Sequence, residues 1–140
     1  MFRINFWGVV HGTKAFLPHL KASGEGHVVN ISSVFALISV PGQGAYNASK
    51  AAVRGFTEAL RMELELSGAP VSATSVHPGG IKTNVARSAR SDDSLRSLGI
   101  DPKESGKNFE KLFVTEPEKA AEVILSAVQK DRRRGPRRRP

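Results

Sequence analysis

The sequence predicts an α/β fold, part of a doubly wound parallel sheet with flanking helices. Two apolar runs rich in β-branched residues, His27–Ser32 and Val71–Val76, have the length and composition of strands. Between them, residues 45–66 repeat apolar side chains at helical spacing (Val53, Phe56, Leu60, Leu64). Strand, helix and strand in that order favour parallel pairing through a crossover helix.

The elements follow in order. Residues 3–21 read as a helix, with Ile4, Trp7, Val10, Phe16 and Leu20 near helical spacing. Gly8 and Gly12, one turn apart, weaken it locally but permit close packing. Pro18 should kink or shorten it. Ser23-Gly24-Glu25-Gly26 is a turn. The strand His27–Ser32 is apolar enough to be buried on both faces, as in parallel sheets. Val34–Gly44 is a loop ending in Pro41-Gly42-Gln43-Gly44. Ser67-Gly68 and Pro70 stop the long helix 45–66 before the second strand, Val71–Val76. Residues 84–114 are polar and weakly patterned, as expected of a mobile loop with short helical pieces. Thr115-Glu116-Pro117-Glu118 reads as a capping box opening a helix that runs to about Gln129.

The length of 140 residues suits one domain, here residues 1–129, followed by a basic tail over 130–140. Net charge is +8, yet the last eleven residues hold seven basic side chains and one acid. The remainder carries fourteen basic residues against twelve acidic, a net of +2. A run of like charges with two prolines and a glycine is expected to be disordered. It could bind polyanions, but no aromatic residues are interleaved for base stacking, so a nucleic-acid partner is disfavoured. No apolar run approaches the roughly eighteen residues of a membrane span. Zero cysteines exclude disulfides and thiolate metal sites and agree with a reducing cytoplasm. The four histidines show no metal-like pairing, so no metal is expected.

Chemistry concentrates around the single tyrosine. Tyr46 lies four residues before Lys50 in Ala45-Tyr46-Asn47-Ala48-Ser49-Lys50, which places both on one helical face. A phenol alone is a poor base at neutral pH, and an ammonium one turn away favours its ionised form. Ser32-Ser33 falls at the end of the first strand, with Ser33 thirteen residues before Tyr46. His77-Pro78-Gly79-Gly80-Ile81-Lys82-Thr83 follows the second strand, and Asn5 sits in Ile4-Asn5-Phe6-Trp7-Gly8. In a doubly wound sheet ligands collect at the carboxyl ends of strands, which is where Ser33, Tyr46 and Thr83 fall. No Gly-x-Ser-x-Gly elbow exists to suggest a Ser-Lys hydrolase.

These four short motifs, in this order and spacing, resemble the short-chain dehydrogenase/reductase family, classical type, over about residues 3–84. The resemblance implies a Rossmann-like domain that interconverts an alcohol and a ketone or aldehyde by hydride transfer with NAD or NADP. It implies Tyr46 as general acid/base, and Lys50 favouring the ionised phenol and hydrogen-bonding the nicotinamide ribose. Ser33, rather than Ser32, would orient the substrate carbonyl. Asn5 would help hold a water leading from the lysine to solvent. Pro78, Gly79, Ile81 and Thr83 would lie along the nicotinamide half of the cofactor. The backbone of Ile81 would meet the carboxamide, and the Thr83 hydroxyl an amide or phosphate.

The family's glycine-rich phosphate turn, Thr-Gly-x-x-x-Gly-x-Gly, fits none of the thirteen glycines, nor is Asn-Asn-Ala-Gly present. By resemblance, then, the amino-terminal strands and the final strand are missing, and the chain is expected to be inactive alone. The competing expectation is a non-catalytic fragment that forms a homo-oligomer through the two long helices, 3–21 and 45–66.

Overall fold

The computed structural model describes residues 1–85, 93–99, 101, 111 and 113–133. It is an α/β arrangement of parallel strands with flanking helices. The chain divides into two compact units, Met1–His77 with the stretch from Ile124, and Pro78–Val123. The physical reason is that the strand pairs close separately, one within each unit.

The first unit is built on the predicted strand–helix–strand. Strand β1 (Gly26–Ile31) and strand β2 (Val71–Val76) pair in parallel, from Gly26 opposite Val71 to Ile31 opposite Val76. Their connection carries a short 3-10 turn (Val34–Ala36) and a long helix, here named α2 (Gly44–Leu66). The buried positions of α2 are Ser49, Val53, Thr57, Leu60 and Leu64, spacings that mark one helical face. That face is polar towards the amino end and apolar towards the other. Leu60 and Leu64 form the core with Val71 and Ala73, against which Leu17, Leu20, Val28, Phe56 and Ala69 pack. The polar end is satisfied internally: Asn30 Nδ2 on β1 donates to Thr57 Oγ1 at 3.0 Å, and Thr57 donates to the Val53 carbonyl at 2.7 Å.

Three expectations change in this unit. The predicted helix over 3–21 divides into a π-helical turn (Arg3–Trp7) and helix α1 (Gly8–Ala22). Pro18 does not shorten it: α1 continues to Ala22, because a proline removes only one backbone bond and the turns on either side persist. Strand β1 is not buried on both faces; only Asn30 within it is buried, and Ile31 is exposed. With β2 as its one hydrogen-bonded neighbour among the described residues, β1 lacks the cover of an interior strand. Gly26 answers a steric need, since a Cβ there would lie 2.9 Å from Leu20 Cβ where α1 crosses the start of β1.

The second unit holds a strand pair the sequence did not announce. Strand β3 (Gly80–Ile81) pairs in parallel with strand β4 (Phe113–Thr115). Lys82 N–H donates to the Thr115 carbonyl at 2.9 Å, and the Lys82 ammonium is paired with the Glu116 carboxylate. Of the loop expected over 84–114, the described part includes a 3-10 stretch (Asp93–Leu98), and most of the rest lies outside the described residues. The last helix, α3, spans Pro117–Arg133. Its start is later than the capping box implied, because Thr115 is held in β4, and Ala120 N–H bonds the Glu116 carbonyl at 3.1 Å. α3 also runs past Gln129 into the stretch read as a tail; Lys and Arg are good helix formers. The tail residues 134–140 lie outside the described residues. Among the described residues no helix is long and apolar enough to cross a membrane.

Candidate active site

The approach to α2 is set by Gly42, whose φ of 75° turns the chain in a region that suits glycine. Two residues on, α2 begins, and its first turns carry Tyr46 and Lys50. Lys50 is fixed to the end of β1 in both directions. Its Nζ donates to the Ile31 carbonyl at 2.9 Å, while Ser32 Oγ donates to the Lys50 carbonyl at 2.7 Å. Ser32 N–H in turn bonds the Val76 carbonyl at 2.8 Å, so the clamp rests on β2 as well. Lys50 Nζ lies 5.8 Å from the centre of the Tyr46 ring, within the range of a cation–π contact. Burial lowers the pKa of Lys50 from its usual 10.5 by disfavouring the charged form.

Ser33 is the first residue after the clamp and is itself buried. Its extended backbone caps the 3-10 turn, and its Oγ accepts from Phe35 N–H at 3.1 Å. Accepting that bond leaves the hydroxyl proton available to a substrate oxygen. Phe35 packs edge-on against Tyr46, with ring centres 6.3 Å apart. His77 Nδ1 lies 3.3 Å from the Ser33 carbonyl, to which it donates when protonated there. Asn5 is also in this unit, and its Nδ2 donates to Ser49 Oγ at 3.2 Å.

The first unit therefore brings together Asn5, Ser33, Tyr46 and Lys50. Pro78, Gly79, Ile81 and Thr83 belong to the second unit. Ile81 is opposite Thr115 in the β3–β4 pair, Gly79 and Thr83 are exposed, and the Thr83 hydroxyl has a long contact of 3.5 Å from Val85 N–H. Sequence reasoning gave no role to Ser49, Phe35 or His77, and weighed Ser32 only as a rival to Ser33. The hydroxyls of Ser32 and Ser33 separate the two: one holds the lysine backbone, the other faces the turn at Phe35.

A nicotinamide dinucleotide fits one part of this set. An ammonium has three N–H donors, and the bond to Ile31 uses one of them. The half-buried ammonium at a strand end can thus hold a pair of ribose hydroxyls. No group of three or more His, Cys, Asp or Glu suited to a metal occurs among the described residues.

Known proteins bear on this geometry. The family model for short chain dehydrogenases matches residues 1–94. SadH of Mycobacterium tuberculosis, which carries a provisional oxidoreductase name, is 56% identical over 132 residues, covering 94% of this chain and 46% of that protein. YxnA of Bacillus subtilis, an uncharacterized oxidoreductase by name, is 37% identical over 95% of this chain and 35% of its own length. The chain thus spans less than half the length of these relatives. A short-chain dehydrogenase/reductase from Burkholderia phymatum, solved in complex with NAD, superposes with a TM-score of 0.78 at 27% identity, over 92% of this chain and 49% of that one. Another from Burkholderia cenocepacia, solved with NADP, gives 0.57 at 27% identity, over 94% and 54%. Motifs, fold and relatives agree, and the chain belongs to the short-chain dehydrogenase/reductase family.

Proposed function

We propose that this chain carries the acid–base half of an oxidoreductase that interconverts an alcohol and a ketone or aldehyde by hydride transfer, with NAD or NADP, in the reducing cytoplasm. The observation that carries the reading is the convergence of Ser33, Tyr46 and Lys50 at the carboxyl end of β1. A bound nicotinamide ring would give or take the hydride. The residues of the chain handle the proton. Tyr46 donates to the substrate oxygen in reduction and takes the proton back in oxidation, a role worth about 10²–10⁴-fold in rate. Ser33 donates to the same oxygen and fixes its orientation. Lys50, tethered to Ile31, keeps a positive charge beside the phenol and offers its remaining donors to ribose hydroxyls. Asn5 serves the water path behind the lysine. Pro78, Gly79, Ile81 and Thr83 line the nicotinamide half, with the Ile81 backbone for the carboxamide and the Thr83 hydroxyl for an amide or phosphate. Relatives solved with NAD and with NADP support a dinucleotide of this class.

A dinucleotide also needs a glycine-rich turn between a strand and a helix for its phosphates, and none of the thirteen glycines of this chain fits one. The chain alone is therefore expected to show no binding of NAD(H) or NADP(H) by titration calorimetry; millimolar or tighter binding would contradict this. For the activity itself, the genomic DNA upstream is read for an in-frame Thr-Gly-x-x-x-Gly-x-Gly. The longer product is then assayed for dinucleotide-dependent oxidation of a panel of secondary and primary alcohols. Turnover of a panel member supports the reading. A longer product that binds dinucleotide yet turns over none of the panel, nor the corresponding carbonyl compounds, counts against it.

One observation favours a second role. Phe2, Ile4, Trp7 and Phe16 are all exposed along the first helical stretch, as an oligomer contact would require. A homo-oligomer through α1 and α2 predicts sedimentation that depends on concentration. A monomer at every concentration removes this reading.

A further inference from the structure

We infer that Ser49 is a positioning residue for Tyr46, acting as the link through which Asn5 fixes the tyrosine backbone. Ser49 is fully buried, and its one hydroxyl does two things. It accepts from Asn5 Nδ2 at 3.2 Å and donates to the Tyr46 carbonyl at 2.8 Å. A hydroxyl that accepts and donates together polarises, so each bond strengthens the other. The bond to the Tyr46 carbonyl closes on the turn carrying the reactive phenol.

The partner side is built for the contact. Asn5 is the central residue of the π-helical turn Arg3–Trp7, a geometry that recurs at functional sites. The next residue, Phe6, meets Phe56 of α2 edge-on with ring centres 6.3 Å apart. Ser49 and Phe56 are seven residues apart, two turns along α2, so they share a face. Two neighbouring side chains of the π-turn thus engage two points on one stripe of α2. The polar contact falls next to Lys50 and one turn after Tyr46. Asn5 reaches the pair through the Ser49 hydroxyl.

This deepens the proposed function, since it concerns the same phenol, but its test does not read turnover. Tyr46 is the only tyrosine, so ¹³C-tyrosine labelling of the full chain gives NMR ring signals from Tyr46 alone. Spectra are compared below each variant's own thermal midpoint. Asn5→Ala and Ser49→Ala should each displace the Tyr46 ring signal, and the double variant should shift it no further than the larger single change. Ser67→Ala is the control: Ser67 Oγ bonds the carbonyl three residues back, at Leu64, in the same way, and its loss should leave the signal in place. If Ser49→Ala does not fold, Asn5→Ala still decides the matter, because Asn5 is only half-buried. A Tyr46 signal unmoved by Asn5→Ala overturns the inference. So do shifts that simply add in the double variant, or an equal shift from Ser67→Ala. Inactivity of the longer product with Tyr46 still coupled to Asn5 would defeat the proposed function and leave this link standing.

Discussion

Thr57→Val tests how α2 is held on β1. Thr57 is 1% exposed, accepts from Asn30 Nδ2 at 3.0 Å and donates to the Val53 carbonyl at 2.7 Å. Asn30 is buried as well, and the next carbonyl along β1, that of Ile31, holds Lys50. Valine keeps the approximate shape of threonine and removes the acceptor, leaving the Asn30 amide buried without it. Such an orphaned group costs about 1–3 kcal/mol, a notable share of the roughly 5–15 kcal/mol that stabilises an ordinary domain. Thr57→Ser keeps the hydroxyl and loses one methyl, about 0.8 kcal/mol of burial. Asn30→Val with Thr57→Val removes both partners and should cost less than the sum of the single changes, with a coupling of about 0.5–3 kcal/mol. The assay is urea unfolding followed by fluorescence of Trp7, the single tryptophan, with unchanged m-values as the condition for comparison. The reasoning is refuted if Thr57→Val is no worse than Thr57→Ser, or if the double variant equals the sum.

Three further outcomes are expected. Lys50 has its pKa lowered in the fold by burial, so below that lowered value the cost of the buried charge is fully present. As pH rises from it towards 10.5, the folded state has released a proton that the unfolded state still binds, and stability rises. Lys50→Met should lack this alkaline gain in urea unfolding at stepped pH; parallel profiles for the two proteins would contradict it. Ser32→Ala should lower the unfolding free energy by about 1 kcal/mol by releasing the Lys50 carbonyl, and by more than Ser33→Ala; the reverse order would return Ser32 and Ser33 to equal standing. Gly26→Ala should destabilise by about 1–3 kcal/mol, since Leu20 must move to admit the methyl; an unchanged urea midpoint would show that α1 yields freely there.

The strand–helix–strand was legible because its signals are local. Alternation and β-branching gave His27–Ser32 against an observed Gly26–Ile31, and Val71–Val76 was matched in full. The helix expected over 45–66 begins one residue earlier, at Gly44. What escaped depends on contacts between distant residues. The π-helical turn carries Asn5, whose amide reaches Ser49, 44 residues away, and no period in residues 3–21 announces it. The β3–β4 pair joins a two-residue strand to a three-residue one, each too short to carry a pattern. In the site, Tyr46 and Lys50 were readable from a spacing of four, which is a property of the helix itself. Ser32 and Ser33 are both buried at the same strand end, and only the direction of each hydroxyl tells them apart. Ser49 had no signal at all, being a small residue in an alanine-rich helix.

Tyr46→Phe addresses the account most directly, because phenylalanine keeps the ring that packs against Phe35 and removes only the hydroxyl. The variant is made in the polypeptide that joins this chain to an in-frame phosphate-binding turn, and alcohol oxidation is followed by formation of reduced dinucleotide. The account predicts a fall in kcat of about 10²–10⁴-fold, the worth of a positioned acid/base, with dinucleotide affinity unchanged. Turnover undiminished by the loss of the phenol would contradict it.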